Sequence, residues 1–140
     1  IIIRMIPTQD VSWTDIESLV EKLSENILKL SRNFSSITTL SRGGLVPSRL
    51  LADSLGIKKI FVDQPIVSSD SLFVDDIFDT GKTFDNVFSC VDDQSKFIFA
   101  TLFARRGTQY PEQLIYGEKT LDNSYVVFPW DKLEFKNSIQ

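Results

Sequence analysis

Apolar positions change their period several times along the chain, and each change predicts an element. Ile16, Leu19, Val20, Leu23, Ile27 and Leu30 recur at three- and four-residue spacing, the pattern of one apolar helix face. Ser12 and Asp15 stand before it at capping-box spacing, with Asp in place of the usual Glu, and Asn33 ends it. Ser36 to Leu40 is short and rich in β-branched residues, which predicts a strand. Ser41-Arg42-Gly43-Gly44 breaks that strand, and Pro47 suits the first turn of a following helix that carries Leu50, Leu51 and Leu55 as far as Gly56. Ile57 to Val62 and Ser71 to Val74 read as two more strands. A glycine-containing turn then leads into a helix with Phe84, Val87, Phe88 and Val91 on one face. Phe97 to Phe103 is a long apolar strand, and Tyr125 to Phe128 a short last one. Strands that alternate with helices, and that are apolar without clean alternation, imply a parallel sheet covered on its faces by helices. The expected fold class is therefore α/β, one domain over residues 1–140. Ligands of such folds sit beyond the carboxyl ends of the strands.

Composition narrows the chemistry. A chain of 140 residues with 42% hydrophobic content suits one core. Its 15 basic and 19 acidic residues leave a net charge of -4, without the basic surplus of nucleic-acid or membrane-surface proteins. The single cysteine, Cys90, forbids an internal disulfide and suits a reducing, cytoplasmic compartment. It falls in the helical pattern, so a packed thiol is expected there rather than a nucleophile. No apolar run approaches the roughly 20 residues of a membrane span. The opening run Ile1 to Ile6 is too short for a signal sequence, and a start on Ile rather than Met is what a trimmed chain shows. The chain has no histidine. Ser-His-Asp and Cys-His catalysis and histidine metal sites are thereby excluded.

One segment concentrates chemistry: Phe73-Val74-Asp75-Asp76-Ile77-Phe78-Asp79-Thr80-Gly81-Lys82-Thr83. An apolar strand ends in adjacent carboxylates, a third follows, and a small-residue turn enters a helix. The turn offers amides and hydroxyls to a phosphate. The carboxylates suit sugar hydroxyls or magnesium, which prefers oxygen ligands. A P-loop would need glycine where Asp76 stands. A phosphatase Asp-x-Asp pair is absent, because Asp76 and Asp79 are three apart. A capped surface loop would explain Asp79 or Thr80 alone, not three carboxylates together.

This segment resembles the phosphoribosyl pyrophosphate signature of the type I phosphoribosyltransferases. The resemblance implies that Thr80, Gly81, Lys82 and Thr83 hold the 5′-phosphate. It implies that Asp75 and Asp76 meet the ribose hydroxyls with magnesium nearby, and that Asp79 helps move the proton of the base. Ser41-Arg42-Gly43-Gly44-Leu45-Val46-Pro47 alone is a strand-to-helix turn whose glycines admit an anion and whose Arg42 offers a charged fork. It resembles the pyrophosphate loop of the xanthine-guanine branch, which implies a non-proline cis peptide at Ser41–Arg42. The segment Asp122 to Asp131 read alone is an edge strand with aromatic packing. In the family reading Tyr125 stacks on the purine and the backbone of Val126 reads its edge. Pro129-Trp130-Asp131 matches the ending of the purine enzymes, and Asp131 joins Asp76 as a candidate magnesium ligand. Arg105 stands where the family has a lysine that reaches the purine 6-oxygen; it keeps the charge and changes the geometry.

The chain also departs from the family pattern in a loop. A long closing loop is expected before the signature strand, yet only Asp63 to Asp70 separate Val62 from Ser71. Either the lid is truncated to a hairpin-sized link, or the sequence lacks a mobile stretch. The resemblance implies transfer of the phosphoribosyl group of phosphoribosyl pyrophosphate to a 6-oxopurine, with magnesium as cofactor and pyrophosphate released. The expected partners are these substrates and further copies of the chain in a dimer or tetramer, with no nucleic acid or membrane. Two rivals stay open: a non-catalytic binding protein on this fold, and a transferase for a different acceptor. A third is a structural protein using its 11 phenylalanines at an interface.

Overall fold

The computed structural model describes residues 6–138; of the apolar opening run, residues 1–5 lie outside them. Ser12 caps the first long helix, α1 (Trp13–Leu28), through the expected capping box: its hydroxyl accepts from the Asp15 amide, and the Asp15 carboxylate accepts from the Ser12 amide. Ile16, Leu19, Leu23 and Ile27 are buried on the predicted face. Before it lies β1 (Thr8–Asp10), and after it β2 (Ser36–Thr39). Then come α2 (Leu45–Leu55), β3 (Ile60–Val62), β4 (Ser71–Phe78), α3 (Lys82–Phe88), β5 (Phe99–Ala104), β6 (Leu114–Lys119), β7 (Tyr125–Val127) and α4 (Lys132–Ser138). Gly56 ends α2 in the left-handed conformation that favours glycine.

Five strands form one parallel sheet in the order β3-β2-β4-β5-β6, while β1 and β7 pair in a separate parallel ribbon. Two apolar clusters explain the unbroken apolar runs. Leu72 and Val74 of β4, with Ala100 and Leu102 of β5, pack toward the α1 and α2 side. Phe73 and Phe99 face the other way, stacked at 5.1 Å, and join Phe78, Phe84, Val87 and Phe97 there. Most phenylalanines are thus core residues, which removes the ground for a purely structural interface protein.

Several expectations need correction. β4 does not stop at Val74; pairing with β5 carries it through Asp75 to Phe78, so the paired carboxylates lie inside a strand. Strand β3 is shorter than the apolar run, starting at Ile60. α3 ends at Phe88, and the Cys90 amide closes a tight turn on the Val87 carbonyl at 2.8 Å. Cys90 is therefore exposed rather than packed, and Val91 enters the core from an extended bridge to Val67. The final short strand is not an edge of the main sheet; it pairs with β1. The link from Asp63 to Asp70 is not a hairpin either. β2 lies between β3 and β4, so the link crosses over the sheet. It is fastened there: the Val67 amide donates to the Cys90 carbonyl, the Asp92 amide to the Val67 carbonyl, and the Ser69 amide to the Asp92 carboxylate. No helix among the described residues is long and apolar enough to cross a membrane.

Candidate active site

The site lies at the carboxyl ends of β2, β4 and β5, where a parallel sheet leaves its strand termini open. At Asp75 and Asp76 the regular side-chain alternation of β4 gives way. Val74 and Ile77 both pack toward the α1 and α2 side, while Phe73 and Phe78 face the opposite cluster. The carboxylates cap their own strand here: the Asp76 amide donates to Asp75 Oδ1 at 2.9 Å, and the Ile77 amide to Asp76 Oδ1 at 2.8 Å. Beyond Phe78 the loop Asp79–Thr80–Gly81 turns into α3. Gly81 is its N-cap, at φ 86°, and the Lys82 amide is held by Thr80 Oγ1. This loop and the strand end enclose a cleft of about 170 Å³. Asp75, Asp76 and Thr80 to Thr83, separate in role at the sequence level, share it.

The second loop, Ser41 to Gly44, joins β2 to α2, and its Ser41–Arg42 peptide is cis. Its glycines are dictated by packing. A Cβ on Gly43 would lie 2.9 Å from Asp76 Oδ2, and one on Gly44 would lie 1.9 Å from Thr39 Oγ1. The loop therefore sits against the signature strand with no room for a side chain. Asp63, at the end of β3, anchors it: its carboxylate accepts from the Ser41 amide at 2.9 Å and the Ser41 hydroxyl at 2.6 Å. Those hydrogen bonds hold the Asp63 carboxyl below the usual carboxylate range. Sequence reasoning assigns Asp63 only to the link; an acid closing the strand beside the Ser41 to Gly44 loop is the signal that marks it.

Tyr125 and Val126 come from the ribbon. The Tyr125 amide donates to the Pro7 carbonyl and the Val11 amide to the Val127 carbonyl, both at 3.0 Å. A parallel ladder that uses residues 125 and 127 turns the N–H and C=O of Val126 to its free edge. Tyr125 is 53% exposed, and its ring stacks on Phe135 of α4 at 5.2 Å. On the same helix Glu134 pairs with Arg42 at 2.9 Å. Arg42, Gly43, Asp76, Tyr125 and Asp131 thus line one cavity of about 270 Å³, with Glu134 and Phe135 as its outer wall. Nothing in the polar tail sequence signals this wall. Arg105 lies apart from that cavity's lining, with its guanidinium on the Asp79 carboxylate and on the turn before β7.

Burial pushes the Asp75 carboxyl up. Burial and the adjacent Asp75 charge push Asp76 up to about 8. Asp131 is raised as well, first by burial and then by the charge of Asp76. The site is a floor of buried carboxyls, which a cationic centre would draw toward the charged form, facing a loop that carries Arg42. Carboxyls perturbed by burial and by a like charge in a cleft mark a candidate functional site.

No family model matches the chain. It is 25% identical to the xanthine-guanine phosphoribosyltransferase of Gluconobacter oxydans, over 86% of this chain and 83% of that protein. It is 27% identical to the enzyme of the same name from Chromohalobacter salexigens, over 86% and 82%. Among solved structures, the xanthine-guanine-hypoxanthine phosphoribosyltransferase of Helicobacter pylori superposes with a TM-score of 0.75 at 17% identity, covering 94% of this chain and 99% of that one. Sequence and architecture point the same way: the chain is similar in sequence to the xanthine-guanine phosphoribosyltransferases and shares the fold of the solved xanthine-guanine-hypoxanthine enzyme.

Proposed function

We propose that the protein moves the phosphoribosyl group of phosphoribosyl pyrophosphate to a 6-oxopurine base and releases pyrophosphate, a purine-salvage reaction. The observation that carries this reading is the Asp75–Asp76 pair, set in a strand that runs into the Thr80–Thr83 loop and faces Gly43 of the anion loop. In this reading Thr80 to Thr83 take the 5′-phosphate, and Ser41 to Gly44 take the pyrophosphate. Asp75 and Asp76 take the ribose hydroxyls. The base stacks on Tyr125, and the Val126 backbone reads its edge, with Arg105 at the far side. As the bond from C1 of the sugar to pyrophosphate breaks, positive charge grows on the ring. That growing charge favours the carboxylate forms of Asp75 and Asp76, which stabilise it, while Arg42 and the loop amides stabilise the leaving group. Asp79 accepts the proton that the ring nitrogen of the base loses as its bond to C1 forms.

Magnesium fits the donor set. It takes oxygen ligands and uses one or two carboxylates beside substrate phosphates. Asp76 and Asp131 offer oxygens in one cavity, and no group of three or more metal-ligating side chains stands ready-made among the described residues. Asp76 and Asp131 would hold the ion, which when bound supplies positive charge against the phosphates.

The test is incubation with phosphoribosyl pyrophosphate, magnesium and guanine, xanthine or hypoxanthine in turn, following nucleotide and pyrophosphate. Nucleotide from the parent chain, lost in Asp79→Asn, supports the transferase and ranks the bases. The fastened link from Asp63 to Asp70 favours a second reading, a binding protein without a closing loop. Phosphoribosyl pyrophosphate binding with no nucleotide from any base selects that second reading.

A further inference from the structure

We propose that Arg105 is a positioning residue that builds the base site from behind, through Asp79 and the turn carrying Tyr125, rather than a reader of the base; this rests on the function proposed above. Its main chain is held first. The Arg105 amide donates to the Phe78 carbonyl at 2.7 Å, and its carbonyl accepts from Tyr110 Oη at 2.7 Å and Thr108 Oγ1 at 3.0 Å. Its side chain is only 12% exposed. Nε and Nη2 grip Asp79 Oδ1 and Oδ2 at 3.0 and 3.4 Å. Nη1 donates to the carbonyls of Asp122 at 3.0 Å and Ser124 at 2.9 Å.

A guanidinium has five N–H donors in a fixed fork. These four bonds leave a single Nη2 hydrogen, too few for a two-point grip on a base edge. Turning the fork toward a base would strip a nearly buried cation of its carboxylate and leave two carbonyls unpaired. The turn is tied from its other side too, by the Ser124 amide on Asp122 Oδ1 and by Thr120 Oγ1 on the Asp122 carbonyl. Arg105 thus joins the loop after β4, the end of β5 and the entry to β7. Lysine, a point charge without a fork, cannot hold all three. The replacement of the family's lysine has this physical meaning: Asp79 and Tyr125 are set in register before a base arrives, which lowers the ordering cost of binding it.

The test uses the full chain with Arg105→Lys. Amide hydrogen exchange without substrate reads the brace, and steady-state kinetics reads its consequence. The expected result is exchange at Ser124 and Tyr125 faster by ~10-fold or more. It is accompanied by a KM for the base raised ~10-fold, with KM for phosphoribosyl pyrophosphate within about two-fold of the parent. Arg105→Gln, which keeps one amide donor group and no fork, is expected to behave like Arg105→Lys. Unchanged exchange with a raised base KM overturns the proposal, because Arg105 then acts on the base itself. Equal losses for both substrates also overturn it, as a general loss of structure. Should the parent chain make no nucleotide, the proposed reaction fails, and the exchange comparison still decides the brace.

Discussion

Asp75 and Asp76 are adjacent, half-buried and without an ion pair to either among the described residues. The folded chain therefore holds the Asp76 proton more tightly than the unfolded chain does. Stability from this group is complete below its ordinary value of 3.8 and is lost as pH rises through about 8. Asp76→Asn removes the repulsion. At pH 8.5 it is expected to raise Tm by about 4 °C, while nucleotide formation is lost; an unchanged Tm would show that the charge is fully solvated. Gly44 presents the opposite case. Thr39 Oγ1, which a Cβ there would strike, donates to the Val74 carbonyl at 2.6 Å. Gly44→Ala is expected to cost about 2 kcal/mol, on the order of 8 °C in Tm, with weakened phosphoribosyl pyrophosphate binding, by calorimetry. Gly43→Ala meets the movable carboxylate of Asp76 instead, so it should lower binding more than stability. The residue types of these loops are legible in the sequence; the reasons for them are distances across the sheet.

At the scale of elements, α1 and the strand that carries the signature are legible because their patterns are local: a capping box, a helical face, an apolar run. β6 is not. Its residues mix apolar, glycine and charged types, and Gly117 is there because a Cβ would meet the Leu102 carbonyl at 2.8 Å. β1 is short and polar, and it is a strand only because β7, far along the chain, supplies its ladder. α4 follows no apolar period, yet it covers the cavity through Glu134 on Arg42 and Phe135 on Tyr125. In the proposed reading, substrate anions and bases compete for those same partners. The ion pair is exposed, 76% and 67% at its two side chains, so its worth is below ~1 kcal/mol. Glu134→Gln is accordingly expected to tighten pyrophosphate binding by only about two- to five-fold in calorimetry. Looser binding would mean that α4 assists the ligand rather than competing with it.

For the molecule as a whole, the decisive feature is that the link before β4 is, among the described residues, tied down rather than free to close over the site. The link from Asp63 to Asp70 is fastened across the sheet, with Val67 buried in the core, and cannot close over the site. A sugar cation formed in reach of water partitions to hydrolysis. Pyrophosphate is therefore expected to exceed nucleotide when the two are counted in one assay with limiting base; a strict one-to-one ratio would show that α4 or a partner excludes water. The expected dimer or tetramer bears on this point, because a second copy is one possible cover; the sedimentation profile of the purified chain measures it.

What the sequence determined by itself is what depends on neighbours in the chain: the α/β class, the helix caps, the signature segment and its carboxylates, the glycine turn after β2, and the absence of histidine chemistry. What only the tertiary structure decided depends on residues distant in sequence. Arg105 reaches Asp79 and the turn before β7, Asp63 anchors Ser41, β1 exists through β7, and α4 walls the cavity. A local pattern records which conformation and which chemistry a segment favours. It carries no record of the partner that a side chain meets once the sheet brings separate segments together.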